Sequence, residues 1–296
     1  MNEPLGPFLC NICGTRNISP ADPRDRERVT CSRCHSSMRF RSVILALSRA
    51  LFGLDLILPD FPVLKSVRGL GLSDSDVYSE ALESRFSYLN TFYHRDPGFD
   101  LSHPDEREFG KYDFVICSEV LEHVPAPVDR TFATLAHLLK PAGCLILTVP
   151  YSLDPEIAEH YPEMAESGFA EIEGQTVLVG RSATGEYRVF DRLKFHGGTG
   201  STLERRVFSE QSIREGLAAA GLPLVHFDAR GNRDFGIAFA DPCSLPIIAV
   251  RGPFALGASG VTELVEQLSA AAKSPERPEI VPMAQVRAEG RHRPHA

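Results

Sequence analysis

Apolar positions along the chain switch between two periods, and the switches mark out the elements. Residues 112–118 (YDFVICS) form a nearly continuous apolar run, as a strand covered on both faces requires. Val128, Phe132, Leu135 and Leu139 follow at helical spacing, Lys140-Pro141-Ala142-Gly143 makes a turn, and residues 144–149 read as the next strand. Upstream, residues 60–67 lead as a strand into a glycine loop at 68–74. A helix with Val77, Ala81, Leu82 and Phe86 on one face comes next, then a strand over 86–93 and a short edge at 99–101. Downstream, Ile213, Leu217 and Ala220 predict a helix over 208–221, and residues 224–227 and 247–251 read as the last strands. Alternation of this kind predicts an α/β fold with a Rossmann-like, mostly parallel sheet that ends in an antiparallel C-terminal hairpin.

Two stretches break the alternation. Residues 151–206 interrupt it after the strand at 144–149, with 171–179 and 187–193 flanking Ala183-Thr184-Gly185-Glu186 as a hairpin. Residues 1–41 carry too little apolar surface to fold unaided. Val43, Leu47 and Ala50 or Leu51 then mark a helix that stops at Gly53. The expected organisation is a small ribbon at 1–41, a linking helix at 42–59, a main domain at 60–252 with its insertion at 151–206, and a C-terminal helix and disordered tail at 253–296.

Charge is distributed unevenly. The chain has 296 residues and a net charge of −8, yet its first 41 residues are net basic, so the body is acidic. An acidic body repels phosphate over most of its surface and disfavours extended tracking of nucleic acid, unless the N-terminal segment does it. Small or uncharged acceptors fit better. No apolar run is long enough to span a bilayer, and MNEPLGPF lacks the basic and apolar regions of a secretion signal, so a cytoplasmic protein is expected.

Four of the seven cysteines form two CxxC pairs, Cys10 with Cys13 and Cys31 with Cys34. Each pair lets two sulfurs approach one ion from a tight knuckle, and four thiolates around Zn2+ would supply the stability that the ribbon's small core lacks. His35 stands beside Cys34 as an alternative ligand. Cys117, Cys144 and Cys243 sit singly in apolar stretches and read as buried small hydrophobes.

The segment Ser118-Glu119-Val120-Leu121-Glu122-His123-Val124, the Leu139-Lys140-Pro141-Ala142-Gly143 turn and the Thr148-Val149-Pro150 ending, in that order, resemble class I S-adenosylmethionine (SAM) dependent methyltransferases of the type 11 group. The resemblance covers residues 60–150 well and 207–251 loosely. It implies a sheet of the seven-stranded type, shortened near its third strand. It also implies that Gly69 and Gly71 line the carboxypropyl arm of SAM, that Asp100 and Leu101 lie near the adenine, and that Ser118 and Glu119 border the adenosine. Two positions depart from the family pattern. Asn90 and Thr91 stand where an acid usually holds the ribose, and only about nine residues separate Thr91 from Asp100, too few for a helix and a strand.

Methyl transfer asks a protein to align acceptor, methyl and sulfur, and to take a proton where the acceptor is a hydroxyl. His123 follows a central strand on the ligand edge and is the first candidate base, with turn capping before Pro125 as its structural alternative. Tyr151 and His196 are further catalytic candidates. Glu119, Glu122 and His123 at spacings of three and four would share one face of a helical turn and so define a second metal site, with His196 as a further ligand. Two rivals follow from the same residues. One is an rRNA methyltransferase using Arg16, Arg24, Arg26, Arg28, Arg33, Arg39 and Arg41 on phosphate, and the other is a methyltransferase-like scaffold without activity.

Overall fold

The computed structural model describes residues 6–18, 22, 24–125, 127–161, 164, 166–182, 184–196 and 202–273. The tail expected after residue 273 lies outside them. β1 (Phe8–Leu9) and β2 (Arg16–Asn17) pair as the ribbon's hairpin. α1 (Met38–Phe52) starts at Ser37, whose side chain accepts from Phe40 N, and stops at Gly53 in the left-handed region. Then come β3 (Leu64–Leu72), α2 (Asp76–Arg85), β4 (Phe86–Thr91), β5 (Tyr112–Ser118), α3 (Val128–Leu138) and β6 (Leu139–Thr148).

The insertion begins with the short strands β7 (Tyr151–Ser152) and β8 (Ala158–Glu159). It continues through β9 (Glu166–Ile172), β10 (Gln175–Arg181), β11 (Tyr187–Phe190), β12 (Phe195–His196), β13 (Thr202–Leu203) and β14 (Arg206–Ser209). α4 (Glu210–Ala219), β15 (Leu224–Phe227), β16 (Ile247–Val250) and α5 (Ala258–Lys273) complete the chain. No helix among the described residues is long and apolar enough to cross a membrane.

The main sheet runs β15-β16-β6-β5-β3-β4. β4, β3, β5 and β6 are parallel, while β16 is antiparallel to both β6 and β15. Six strands stand where the resemblance implied the seven-stranded type. Between β4 and β5 the described residues hold one isolated bridge, Phe92 to Gly98, and one 3-10 turn, Glu106–Glu108, in place of another helix and strand. Alternation along β5 divides the core. Val115 and Cys117 pack with Phe132, Leu135, Ile213 and Leu217 on one face, and Phe114 and Ile116 pack with Val43, Leu47, Leu82 and Phe86 on the other.

α1 is buried on most of its circumference, and Cys10, Ile12 and Cys31 of the ribbon join its apolar side chains in one cluster. The helix is therefore a layer on the sheet as well as a connection, and ribbon and body share a core.

Three local expectations shift. The glycine segment 68–71 is strand, and the turn comes only after Leu72, with Ser73 at φ 60°. A Cβ on Gly69 would lie 2.2 Å from the Phe114 ring, so this glycine makes room for an aromatic packed on the sheet. Gly69→Ala should therefore cost roughly 1–3 kcal/mol of stability by overpacking. An urea midpoint unchanged from the wild type would contradict that packing role. The strand expected over 171–179 is split by Glu173 and Gly174, both at positive φ, which form a two-residue hairpin loop. This adds β9 to the β10–β11 hairpin as a three-stranded sheet. Finally, β6 begins at Leu139, so the 140–143 turn lies within an irregular strand start, where Gly143 approaches the backbone of β5.

Candidate active site

β3 leads through α2 to β4 on one side, whereas β5 leads through α3 to β6 on the other. The strand order therefore reverses between β3 and β5, and a crevice at their carboxyl ends follows from topology alone. On the β3 side Asn90 locks the turn: its Nδ2 donates to Asp74 O at 2.8 Å and its Oδ1 accepts from Asp74 N at 3.0 Å. Thr91 Oγ1 donates to Gly71 O at 2.8 Å. Asn90 and Thr91, the departures from the family pattern, thus brace this turn. Asp74 is buried and accepts from Tyr78 Oη at 2.8 Å and from Tyr88 Oη. Burial pushes its carboxyl up to about 7, against the pull of the two phenols and of the Arg39 charge. A Cβ on Gly71 would meet Tyr88 Oη and Asp74 Oδ2, so this glycine faces the same cluster.

On the β5 side Ser118 Oγ lies 2.8 Å from Thr148 Oγ1 and accepts from Arg39 Nη1 at 2.8 Å. Glu119 sits in the left-handed region, its N–H donates to Thr148 O, and its carboxylate meets Arg26 Nη2 at 3.0 Å. Arg39 Nε in turn lies 2.8 Å from both Glu27 oxygens. Arg26 and Glu27 belong to the loop between the CxxC pairs and Arg39 to the first turn of α1. The ribbon therefore reaches over the crevice edge.

The 3-10 turn Leu121–His123 holds the candidate base. His123 Nδ1 lies 2.8 Å from Leu203 O, so the neutral ring carries its proton on Nδ1 and presents Nε2 as acceptor, 3.6 Å from Glu122 Oε1. Two arginines at the end of the insertion grip this turn. Arg205 Nε donates to His123 O, and the fully buried Arg206 reaches Leu121 O and Val124 O while pairing with Glu159 at 2.5 Å.

Among the described residues, which leave out the side chain of His196, Glu119, Glu122 and His123 are not gathered as a metal cluster. The helical turn starts only at Leu121, and the left-handed Glu119 is directed toward Arg26, so the one-face spacing is not realised. Tyr151 is buried against Phe227 with its hydroxyl bound to Pro242 O, and burial raises its pKa. That geometry ties β7 to the 242–245 segment. Asp100 caps its own turn through Ser102 N and pairs with His103, while Leu101 is a core residue. The side chain of His196 lies outside the described residues. A cleft of about 460 Å³ opens between residues 153–155 and the start of α4, lined by Leu153, Asp154, Pro155, Glu210, Gln211 and Arg214, and none of the predicted site residues borders it.

The sequence profile of a family described as "Methyltransferase domain" matches residues 73–226, more than half of the chain. The chain belongs to that family. It is a SAM-dependent methyltransferase by this membership, and the matched region takes in the crevice turn, β5, the His123 turn and the insertion. No curated protein sequence matches the methyltransferase. Among solved structures it is similar to the sugar N-methyltransferase KedS8 from Streptoalloteichus sp ATCC 53650, at 14% identity over 72% of this chain and 86% of that one, with a TM-score of 0.40. CalS10, an amino pentose methyltransferase from Micromonospora echinaspora, is 17% identical over 73% and 92%, with a TM-score of 0.39. A 1,6-didemethyltoxoflavin-N1-methyltransferase from Burkholderia thailandensis is 14% identical over 72% and 76%, with a TM-score of 0.36.

Outside the matched region the methyltransferase gathers Cys10, Cys13, Cys31 and Cys34, whose sulfurs all lie within 4.8 Å of one another. Cys10 to Cys34 and Cys13 to Cys31 are 3.6 Å apart. Sulfurs at zinc-bond distance on a tetrahedron are separated by roughly 3.8 Å, so the donor set fits that ion. His35, in the left-handed region at the second knuckle, is not part of the cluster. Arg41 is 0% exposed, stacks over Phe8 and donates through Nη1 and Nη2 to Thr30 Oγ1, Ser36 O and Gly236 O, which places a buried cation beside the thiolates, with its Nε unpaired among the described residues.

Sequence reasoning singled out Gly71, Ser118 and Glu119, which the fold brings to the carboxyl ends of β3 and β5, but missed Asp74, Thr148 and Arg39 as their partners. The only signal was indirect: Ser37 as a helix cap fixes Arg39 in the first turn of α1, and nothing local says that this turn meets β5.

Proposed function

We propose that the methyltransferase binds SAM across the crevice between β3 and β5 and methylates an oxygen or nitrogen of a small molecule or glycan in the cytoplasm, with one structural Zn2+ in the ribbon. The observation that carries this reading is the coincidence of the topological switch point with the turn at 73–75 and the Ser118–Glu119 end of β5. SAM supplies an electrophilic methyl on a sulfonium, and its loss leaves a neutral thioether. The chain's contribution is alignment and proton removal. Ser118 and the 73–75 turn border the cofactor, and the left-handed Ser73 bends the backbone away from β3 to open that edge.

The Leu203 carbonyl fixes His123 with Nε2 as the acceptor, so the ring is set to take the acceptor's proton. Arg205 and Arg206, which clamp the carbonyls of this turn, hold that orientation against the insertion. The ribbon favours a small acceptor over rRNA. Arg41 is buried, and the side chains of Arg26 and Arg39 are only 17% and 16% exposed in ion pairs, which removes three of the seven arginines from phosphate contact.

Isothermal titration with S-adenosylhomocysteine tests the cofactor half of the reading. Saturable 1:1 binding is expected, and His123→Ala should leave it unchanged while lowering turnover of an acceptor by about 10²-fold or more. No heat of binding at millimolar ligand would move the protein to the inactive scaffold class.

A further inference from the structure

The family match begins at residue 73, yet the crevice is completed from outside it. Arg39 comes from the first turn of α1, five residues after Cys34, and its backbone N–H donates to Arg26 O at 3.0 Å, so the two arginines that reach the crevice are tied to each other. Thr30 and Cys31 N–H groups both donate to Ser36 O, which stitches the second knuckle to the start of α1. The Arg39 guanidinium is fixed on three sides: Nε against Glu27, Nη1 on Ser118 Oγ, and its plane 4.6 Å over the Phe40 ring. Its Nη2 makes no hydrogen bond to any described residue.

Charge decides what a ligand must offer here. Arg26 and Arg39 are balanced by Glu27 and Glu119, so the crevice edge presents both signs of charge to a ligand. The methionine half of SAM carries one carboxylate and one ammonium beside the sulfonium, and its adenosine half carries no anion, so the carboxylate is the one anionic group that a free guanidinium edge can bind. A partly buried guanidinium with a forked donor edge recognises a planar carboxylate bidentately. We propose that Arg39, positioned by the cysteine-bound segment, binds the carboxylate of the cofactor's methionine moiety, so that the ribbon is part of the cofactor site. This assignment rests on the proposed binding of SAM in the crevice.

The test compares S-adenosylhomocysteine with its decarboxylated form, which lacks only the carboxylate, on the full zinc-loaded chain. Wild type is expected to bind the decarboxylated compound at least tenfold more weakly. Arg39→Met should lower S-adenosylhomocysteine affinity to that same level while leaving the decarboxylated compound within twofold, and Arg39→Lys should recover part of the loss. Equal weakening of both compounds, an unchanged affinity for S-adenosylhomocysteine, or tighter binding by Arg39→Met overturns the assignment. Binding of neither compound by the wild type defeats the cofactor reading itself, a different result. Zinc content and the affinity for the decarboxylated compound report on the same sample whether the variant is folded.

Discussion

Cys31→Ser is expected to reduce bound zinc from about one ion per chain to a trace and to lower the thermal transition of the whole protein by roughly 10 °C or more. Cys31 is buried within the same apolar cluster as Ile12, Val43, Leu47 and Phe86, so the ribbon cannot come apart by itself. Structural zinc in small ribbons contributes on the order of 10 kcal/mol to folding, and a serine oxygen replaces a thiolate poorly as a ligand. Losing the ion exposes Phe8, Ile12 and one side of α1 to water, and α1 covers one face of the sheet against β6 and β16. Metal analysis together with calorimetry checks this result. Cys243→Ser, which alters a cysteine outside the cluster, should keep both the zinc and the transition. A wild-type transition in zinc-free Cys31→Ser would show that the body folds independently of its ribbon.

Raising the pH from 4 to 8 should weaken the ligand-free protein relative to Asp74→Asn by up to roughly 4 kcal/mol. Asp74 ionises at about 7 in the folded chain against an ordinary 3.8, because burial disfavours its charged form. Between those values the folded state holds a proton that the unfolded state has released, so the contribution to stability falls as pH rises and levels off above 7. Asparagine cannot ionise and removes this dependence. Other carboxylates act in the opposite direction: Asp55, held below its ordinary value by Arg49, adds stability that is lost on acidification. The difference between wild type and variant isolates Asp74. Urea unfolding midpoints at several pH values read it out, and parallel curves for the two proteins would exclude the buried-acid account.

The raised pKa at this position also bears on the crevice. With Asp74 neutral below pH 7, Arg39 faces the carboxylates of Glu27 and Glu119, and ionisation of Asp74 adds another. The methyltransferase thus places a titrating group next to the arginine that we assign to the cofactor, braced by Asn90 where the family pattern has an acid.

Legibility differed by element. The apolar run of β5 and the stripe of α3 were readable because each residue's burial is set by its own element's period. The two CxxC pairs were equally plain, since a shared ion dictates their spacing. The Gly69 assignment slipped because a glycine needed for an aromatic neighbour looks in sequence like one needed for a ligand. Phe114, which fills that space, lies 45 positions away. Glu119 was placed on a helical face that its left-handed backbone never forms.

By itself the sequence determined the α/β order and the two CxxC pairs of the four-sulfur cluster. Local periodicity and ligand spacing encode such features within a few residues. Tertiary structure alone decided that α1 is a layer of the core, that Tyr151 is bound to the Pro242 carbonyl, and that arginines of the ribbon meet Ser118 and Glu119. Those contacts join segments about 80 or more residues apart, and their geometry is fixed only when the sheet and its covering helices close together.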